Sequence, residues 1–370
     1  MLEIGQVILA TPGPACLELQ GAELIADSGV DSATLEQSVQ ALGYAGLEIE
    51  SQDRILLCTA PGSRRALALA HLAGIAGAKV FAPSEIGQDN FQPVSVLQTI
   101  DAAGITLSDW YPWQLAALLR LPTEERRRYV GANHQRAWVG GARMPRWLQE
   151  ALYAWWGPIL HEHLGFADWP GGCVATVLDW QQHPGSAGRW RGPPDTSLQV
   201  LDHSQQVCHE GCIGQLRPAA LTGEESAVGE ELAADSMLGY MDADGQVYPQ
   251  GQSGFARATD VGWLTPYEGE QLLESHADVA QAVLWHSDGL FADRLDTPSE
   301  AAGFWAFVEL HNPALASPLL EVELLEFCAR ALSAAKCPRS ILFVDTMPRT
   351  ARGGVDSNGL LQVFGDNSAS

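Results

Sequence analysis

Along the first 240 residues, short apolar runs of strand length alternate with longer stretches whose apolar positions recur every three or four residues. Arg54–Thr59 (RILLCT), Lys79–Ala82 and Ile159–His163 read as strands, and Thr106 leads into another that ends in a Trp-rich turn. A further short strand is expected at Glu23–Ala26. Between them, Ser32–Gly43 sets Leu35, Val39 and Leu42 on one helical face, opened by Ser32 and closed by Gly43. Arg64–Gly74, Val94–Gly104, Trp113–Leu119 and Pro145–Trp155 are further helices. Strand–helix alternation of this kind predicts an α/β fold with a mainly parallel sheet and helices on both faces.

From about Gly185 the pattern changes to short strands and turns: SLQVLD, CIGQLRP and GYMDADGQVYPQG, the last folded at a hairpin turn, Asp242–Gly245. Gly251–Gly254 reads as a junction. The remainder predicts a small α+β unit, with helices near Glu268–His276 and Leu320–Lys336 and strands near Val279–Trp285, Phe304–Leu310 and Ile341–Val344. The tail DNSAS reads as disordered. Two domains are expected, residues 1–250 and 255–365.

Composition narrows the partners. The formal charge of −24 disfavours nucleic acid and anionic membrane. No apolar run reaches membrane-spanning length, and MLEIGQVILATPGP carries no secretory signal. Seven scattered cysteines in apolar runs suggest reduced thiols, hence a cytoplasmic protein. The acid is uneven: between residues 61 and 146 basic side chains outnumber acidic ones. That stretch could face a phosphorylated ligand or an acidic carrier protein, although Arg126–Arg128 after Glu124 and Glu125 equally reads as a solvated helix face.

Three stretches resemble the acyl-CoA synthetase branch of the adenylate-forming superfamily. GGARMPRWLQEALYAWWGPILHEHLGFAD (140–168) is similar to the family's adenine-binding Gly-Gly-Ala segment, the helix after it and the strand ending in "HEYYGxTE". HPGSAGRW with SLQVLD and GCIGQL resembles the next run. DADGQVY, TPYEGEQLLESHADVAQAVL and CPRSILFVDTMPRTARGG resemble the mobile C-terminal domain. The resemblance implies the adenylate-forming fold, a larger α/β N-terminal domain plus a small α+β C-terminal domain, here truncated at its N-terminal side.

The departures all touch ATP. The family's Ser/Thr/Gly loop for phosphates falls on Asp27-Ser28-Gly29-Val30, and its Thr-Glu pair on Ala167-Asp168. The ribose-binding Asp aligns with Met237, the hinge Arg and Asp with Gln252 and Phe255, and the C-terminal Lys with Gly354. One preorganised donor at a developing charge is worth ~10²–10³ in rate, so the loss of several predicts no ATP or magnesium dependence and no adenylation.

What the resemblance leaves is the thioester half of the chemistry. The expected activity is ATP-independent acyl transfer between thioesters, from acyl-CoA to an acyl carrier protein of the polyketide type, with an aromatic acyl group among the candidates. The rival is a non-catalytic pseudoenzyme that binds an acyl group or a synthase partner. A covalent route needs a nucleophile. Cys173 is the candidate, with His163 as base and Asp168 to orient it; a buried inert cysteine and a core histidine are the bland alternatives. Gly140, Gly141 and Ala142, Arg64, Lys336 and Arg339 are candidate contacts to the CoA or phosphopantetheine thioester. Cys208-His209-Glu210-Gly211-Cys212 hints at metal, but its spacing is unusual, and no metal is expected. Apolar surface left by the truncation would be covered in a homo-oligomer or complex.

Overall fold

The computed structural model describes residues 16–19, 25, 29–60, 62–83, 91–166, 169–221, 236–260, 262–287, 303–350 and 353–368. The first sheet contains β1 (Cys16–Leu19), β2 (Arg54–Leu57), β3 (Lys79–Pro83), β4 (Leu107–Trp110), β5 (Arg136–Gly140), β6 (Leu160–Gly165), β7 (Gly172–Thr176) and β8 (Arg189–Arg191). Their order is β1-β3-β2-β4-β5-β6-β7-β8. Strands β3, β2, β4, β5 and β6 are parallel neighbours, while β1, β7 and β8 join antiparallel. The parallel strands are buried on both faces, which is why RILL reads as a continuous apolar run.

Helices α1 (Ser32–Tyr44) and α2 (Arg64–Ala76) cover one face, where Leu42, Ala66 and Leu69 pack on Ile55, Leu57 and Trp138. The other face is covered by α3 (Pro93–Ala102), α4 (Pro112–Leu119), then, past the short α5 (Thr123–Arg126), α6 (Arg146–Trp156) and α7 (Val177–Gln182). Leu97, Leu115, Leu148 and Trp180 pack there on Leu56, Val139 and Leu160. Local chemistry sets the helix starts. Asp31, not Ser32, caps α1 by accepting from Thr34 N at 2.9 Å, and Ser63 caps α2 by accepting from Ala66 N.

A second, antiparallel sheet follows: β9 (Thr196–Leu201), β10 (Gly214–Ala220), β11 (Met237–Met241) and β12 (Val247–Gln252). The β11–β12 hairpin turns at the expected place. Asp242 Oδ1 accepts from Asp244 N and Gln246 N, and Gly245 takes φ +73°. After the small ribbon β13 (Arg257–Thr259) and β14 (Gly262–Leu264) comes the C-terminal α+β unit: α8 (Tyr267–Glu274), β15 (Val279–His286), β16 (Phe304–Leu310), α9 (Pro318–Ala331), β17 (Pro338–Val344) and α10 (Ser357–Ser368). Leu273 of α8 and Leu324 and Cys328 of α9 pack on one face of this sheet. Phe255, Met347 and Leu360 pack on the other.

Three expectations need correction or placing. The tail read as disordered is helical through Ser368. The strands β1, β5, β7 and β8 were not legible in the pattern. The expected strand Glu23–Ala26 lies, apart from Ile25, outside the described residues. No described helix is long and apolar enough to cross a membrane.

Leu324 is fully buried, so Leu324→Ala should lower unfolding free energy by about 2–5 kcal/mol in urea denaturation. A change under about 1 kcal/mol would show that α9 does not pack as described.

Candidate active site

The parallel strands β2, β4, β5 and β6 have their carboxyl ends on one side of the sheet, and there Trp113 after β4 and Ala142 after β5 line a crevice of about 200 Å³ with Gln281 and Arg349 of the C-terminal unit. At its base Asp109, near the end of β4, is wholly buried. A buried carboxylate must be paired and hydrogen-bonded. Arg65, from the first turn of α2, supplies Nε at 2.6 Å from Asp109 Oδ1, and Thr59 donates its hydroxyl to Oδ2. Burial pushes the Asp109 carboxyl above its ordinary range, against the pull of Arg65 and Thr59. Arg65 Nη2 also donates to the Trp110 carbonyl at 2.8 Å, and the guanidinium lies over the Tyr111 ring, 5.5 Å from its centre.

Above this floor, β5 ends in Gly140-Gly141-Ala142. A side chain at Gly140 would strike Arg65 and come within 2.8 Å of the His163 carbonyl oxygen, and Gly141 has φ +86°. The opposite wall belongs to the C-terminal unit. Thr350 N donates to Gly354 O at 2.8 Å and Gly353 N to Thr350 O at 2.9 Å, closing a turn. Gly353, at φ +79°, lies against the Tyr111 ring, where a Cβ would collide. Gly354 faces Gly141: a Cβ built there would sit 3.4 Å from the Gly141 carbonyl oxygen, an ordinary contact.

Beside the crevice, Arg143 joins the units. Its Nη2 is 2.8 Å from Glu274 Oε2 and 3.7 Å from Glu270 Oε2 on α8, and its guanidinium lies over Tyr267. Burial pulls the Arg143 pKa down, but the two carboxylates outweigh it and hold it above its ordinary value. Glu162 of β6 accepts from Gln149 Nε2 at 3.0 Å and Met144 N at 3.3 Å; burial lifts its pKa to about 7. Arg143, Glu162, Tyr267 and Trp180 help line a cavity of about 460 Å³. Arg120 pairs with Glu309, and Trp147 Nε1 donates to Ala280 O at 3.1 Å, further along the same joint.

Of the residues singled out from sequence, Gly140, Gly141 and Ala142 are at the crevice. Cys173 and His163 are not brought together. Cys173 pairs with Leu164 and His163 with Val174, so the two side chains leave opposite faces of the sheet. Cys173 is fully buried among Ala187, Leu198, Val200, Leu216 and Val247, and burial pushes its thiol to about 12. His163 packs edge-on against Trp138, centroids 6.1 Å apart. Burial, and then Arg65, lower it to about 4. The expected Cys–His dyad is therefore not assembled. Asp168 lies outside the described residues. Arg64 is exposed at the start of α2. Lys336 is tied to Glu268 at 2.5 Å, and Arg339 lies over Gly303. Cys208 is partly buried and Cys212 exposed. No group of three or more potential metal ligands occurs among the described residues.

Sequence reasoning missed Asp109 and the Arg143 cluster, and read Arg65 beside Arg64 as a ligand contact where it is paired with Asp109. The signal was present: an Asp inside the apolar strand LSDW, and Glu270 and Glu274 one helical turn apart flanking the buried Leu273.

Residues 268–353 match the family model of the AMP-binding enzyme C-terminal domain. Two curated CoA ligases match further. A probable CoA ligase (CCL9) of Humulus lupulus is 29% identical over 196 residues, 50% of this chain and 35% of the relative. The sulfoacetate–CoA ligase of Cupriavidus necator is 27% identical over 237 residues, 60% of this chain and 43% of the relative. Among solved structures, the o-succinylbenzoate CoA synthetase of Bacillus subtilis in complex with AMP superposes with a TM-score of 0.65 at 21% identity, covering 89% of this chain and 64% of that one. Residues 268–353 are thus an AMP-binding enzyme C-terminal domain, and the chain is similar to members of the adenylate-forming, AMP-binding superfamily. It spans less than half the length of these two curated relatives. The likeness corrects one expectation: the relatives are CoA ligases, one held with AMP, which overturns the expected absence of ATP dependence.

Burial of Cys173 predicts that iodoacetamide at pH 7.5 labels exposed Cys212 while Cys173 stays unmodified, read by peptide mass spectrometry. Modification of Cys173 at a comparable rate would contradict the packing described.

Proposed function

We propose that this chain binds an adenine nucleotide and an acyl thioester in the crevice between its two units, and moves the acyl group onto or off a CoA-type thiol. The observation that carries this reading is the Gly353–Gly354 turn seated on Tyr111 and Gly141 at the carboxyl edge of the parallel sheet. Binding in such a crevice is the rule for open α/β sheets. The relatives supply the chemical class, because both curated matches are CoA ligases.

Gly140, Gly141 and Ala142 would hold the base, presenting bare backbone at the mouth of the crevice. Arg65 is committed to Asp109 and serves as the floor rather than as a free cation. The counterpart of the phosphate loop, Asp27 and Ser28, lies outside the described residues. With Cys173 buried and protonated, the acceptor's thiolate attacks the acyl carbonyl, the bond from that carbon to the donor sulfur breaks, and the donor leaves as a thiolate that takes up the proton the acceptor lost; from an acyl-adenylate the carbon–oxygen bond breaks and AMP leaves instead. The acceptor in this reading is CoA or the phosphopantetheine arm of an acyl carrier protein. One observation favours a binding protein without turnover: a glycine, Gly354, faces Gly141 where the resemblance places a lysine.

Equilibrium dialysis with AMP, ATP and a panel of acyl-CoAs tests the reading. Binding that Ala142→Phe weakens at least tenfold is expected; no binding of any of them at millimolar concentration would sink it. Transfer of acyl groups to CoA or to a holo-carrier protein, read by mass, separates enzyme from binder.

The position of Gly354 gives a second expectation. Its φ is not positive, and the space beside it is open to a Cβ. Gly354→Lys should therefore fold, and should raise pyrophosphate release from ATP and a carboxylic acid by ~10²-fold. Unchanged release from a folded variant would separate this turn from phosphoryl chemistry.

A further inference from the structure

Around the crevice, a chain of polar contacts runs from the Gly141 segment to the glycine turn that faces it. Arg143 follows directly on Gly140-Gly141-Ala142 and bonds Glu274 at 2.8 Å. The other oxygen of Glu274, Oε1, accepts from Ala282 N of β15 at 3.3 Å, and Glu270 Oε1 accepts from Leu284 N at 3.1 Å. The same carboxylates that receive Arg143 thus also staple α8 onto β15. Next to Ala282, Gln281 Oε1 accepts from Arg349 Nη2 at 2.6 Å. Arg349 stands at the root of the glycine turn, with Nη1 3.4 Å from Gly353 O. The turn itself faces Gly141. A parallel strut supports it: Arg120 pairs with Glu309, whose Oε2 accepts from Met347 N at 2.8 Å.

We propose that Arg143 is a positioning residue that, through Glu274, β15 and Arg349, fixes where the Gly353–Gly354 turn sits over the Gly141 segment. The function reading enters only in making this crevice the site; the contacts themselves stand without it. Three physical points support it. Arg143 is the member of this chain of contacts that joins the segment by its own backbone to a side chain of the other unit. Its Nη2 alone serves two carboxylates of α8, at 2.8 Å from Glu274 Oε2 and 3.7 Å from Glu270 Oε2, so one cation ties two points of that helix to the Gly141 segment. Glu274 is almost fully buried, so removing its cation leaves a charge that only rearrangement or protonation can relieve. The Arg143 guanidinium is consequently better placed to set the joint than surface pairs such as Arg146 with Glu150, both largely exposed.

Amide hydrogen exchange on the intact chain, followed by mass spectrometry without any ligand, tests this. Arg143→Met should raise exchange at least tenfold both at the start of β15 and in the turn 347–356, while the β9–β12 sheet stays as in the parent. Arg349→Met should release the turn alone and leave α8 and β15 protected. Arg143→Lys should restore part of the protection, which a purely steric role for the side chain would not explain. Glu274→Gln, milder than loss of the guanidinium, is the second variant if Arg143→Met does not fold. Unchanged exchange in the turn of a folded Arg143→Met or Glu274→Gln chain would overturn the proposal. So would an equal rise throughout the molecule, which signals general destabilisation. Because no nucleotide or thioester is present, failure here leaves the binding experiment untouched, and failure of that experiment leaves this one standing.

Discussion

A carboxylate buried at the end of an apolar strand is the constraint from which the crevice follows. Asp109 has no route to water, so its charge must be met by Arg65 and its second oxygen by Thr59. Meeting that need draws the first turn of α2 over the end of β4 and lays a guanidinium beneath the end of β5. The guanidinium in turn leaves no room for a side chain at position 140. A bare backbone segment at the mouth of the crevice is thus a consequence of the ion pair below it. Removing either partner alone would leave a buried charge, the costly case; replacing both by apolar groups is the cheaper one.

Much of the fold was legible because the parallel strands obey a single rule. RILLCT and KVFA are apolar on both faces, and the helices between them carry caps and periodic leucines. The β11–β12 hairpin was legible from DADG, whose Asp and Gly each have a defined turn role. What escaped was set by tertiary pairing. β1 is too short to announce itself and exists by pairing with β3. GCVAT became an antiparallel strand beside β6, and that register alone decided the fate of Cys173. A shift by one residue would have put the thiol on the face of His163. The sequence shows both residues but not the register, so a plausible dyad dissolved.

The family resemblance fared differently in its two halves. The likeness of the C-terminal run is carried by a matching family model, and the fold by superposition over most of the chain. The inference drawn from departures failed where it reasoned from missing side chains to missing nucleotide. A solved structure of the same fold is held with AMP, and the segments that face each other here are built from backbone and glycine geometry. Such features survive changes in side chains that motif comparison weighs heavily. For the same reason the thioester reading rests on the crevice and not on a named nucleophile.

The two glycines of the C-terminal turn are neighbours, yet they live under different rules. Gly353 is held by a left-handed backbone and by the tyrosine ring against it, so nearly every replacement is closed to it. Gly354 has an ordinary backbone and room for a side chain. In evolutionary terms the first is a fixed hinge pin and the second an unlocked door. A basic side chain could enter at position 354 without disturbing the fold, and glycine codons lie a single base from those of arginine. A single base change can therefore place a cation at the crevice.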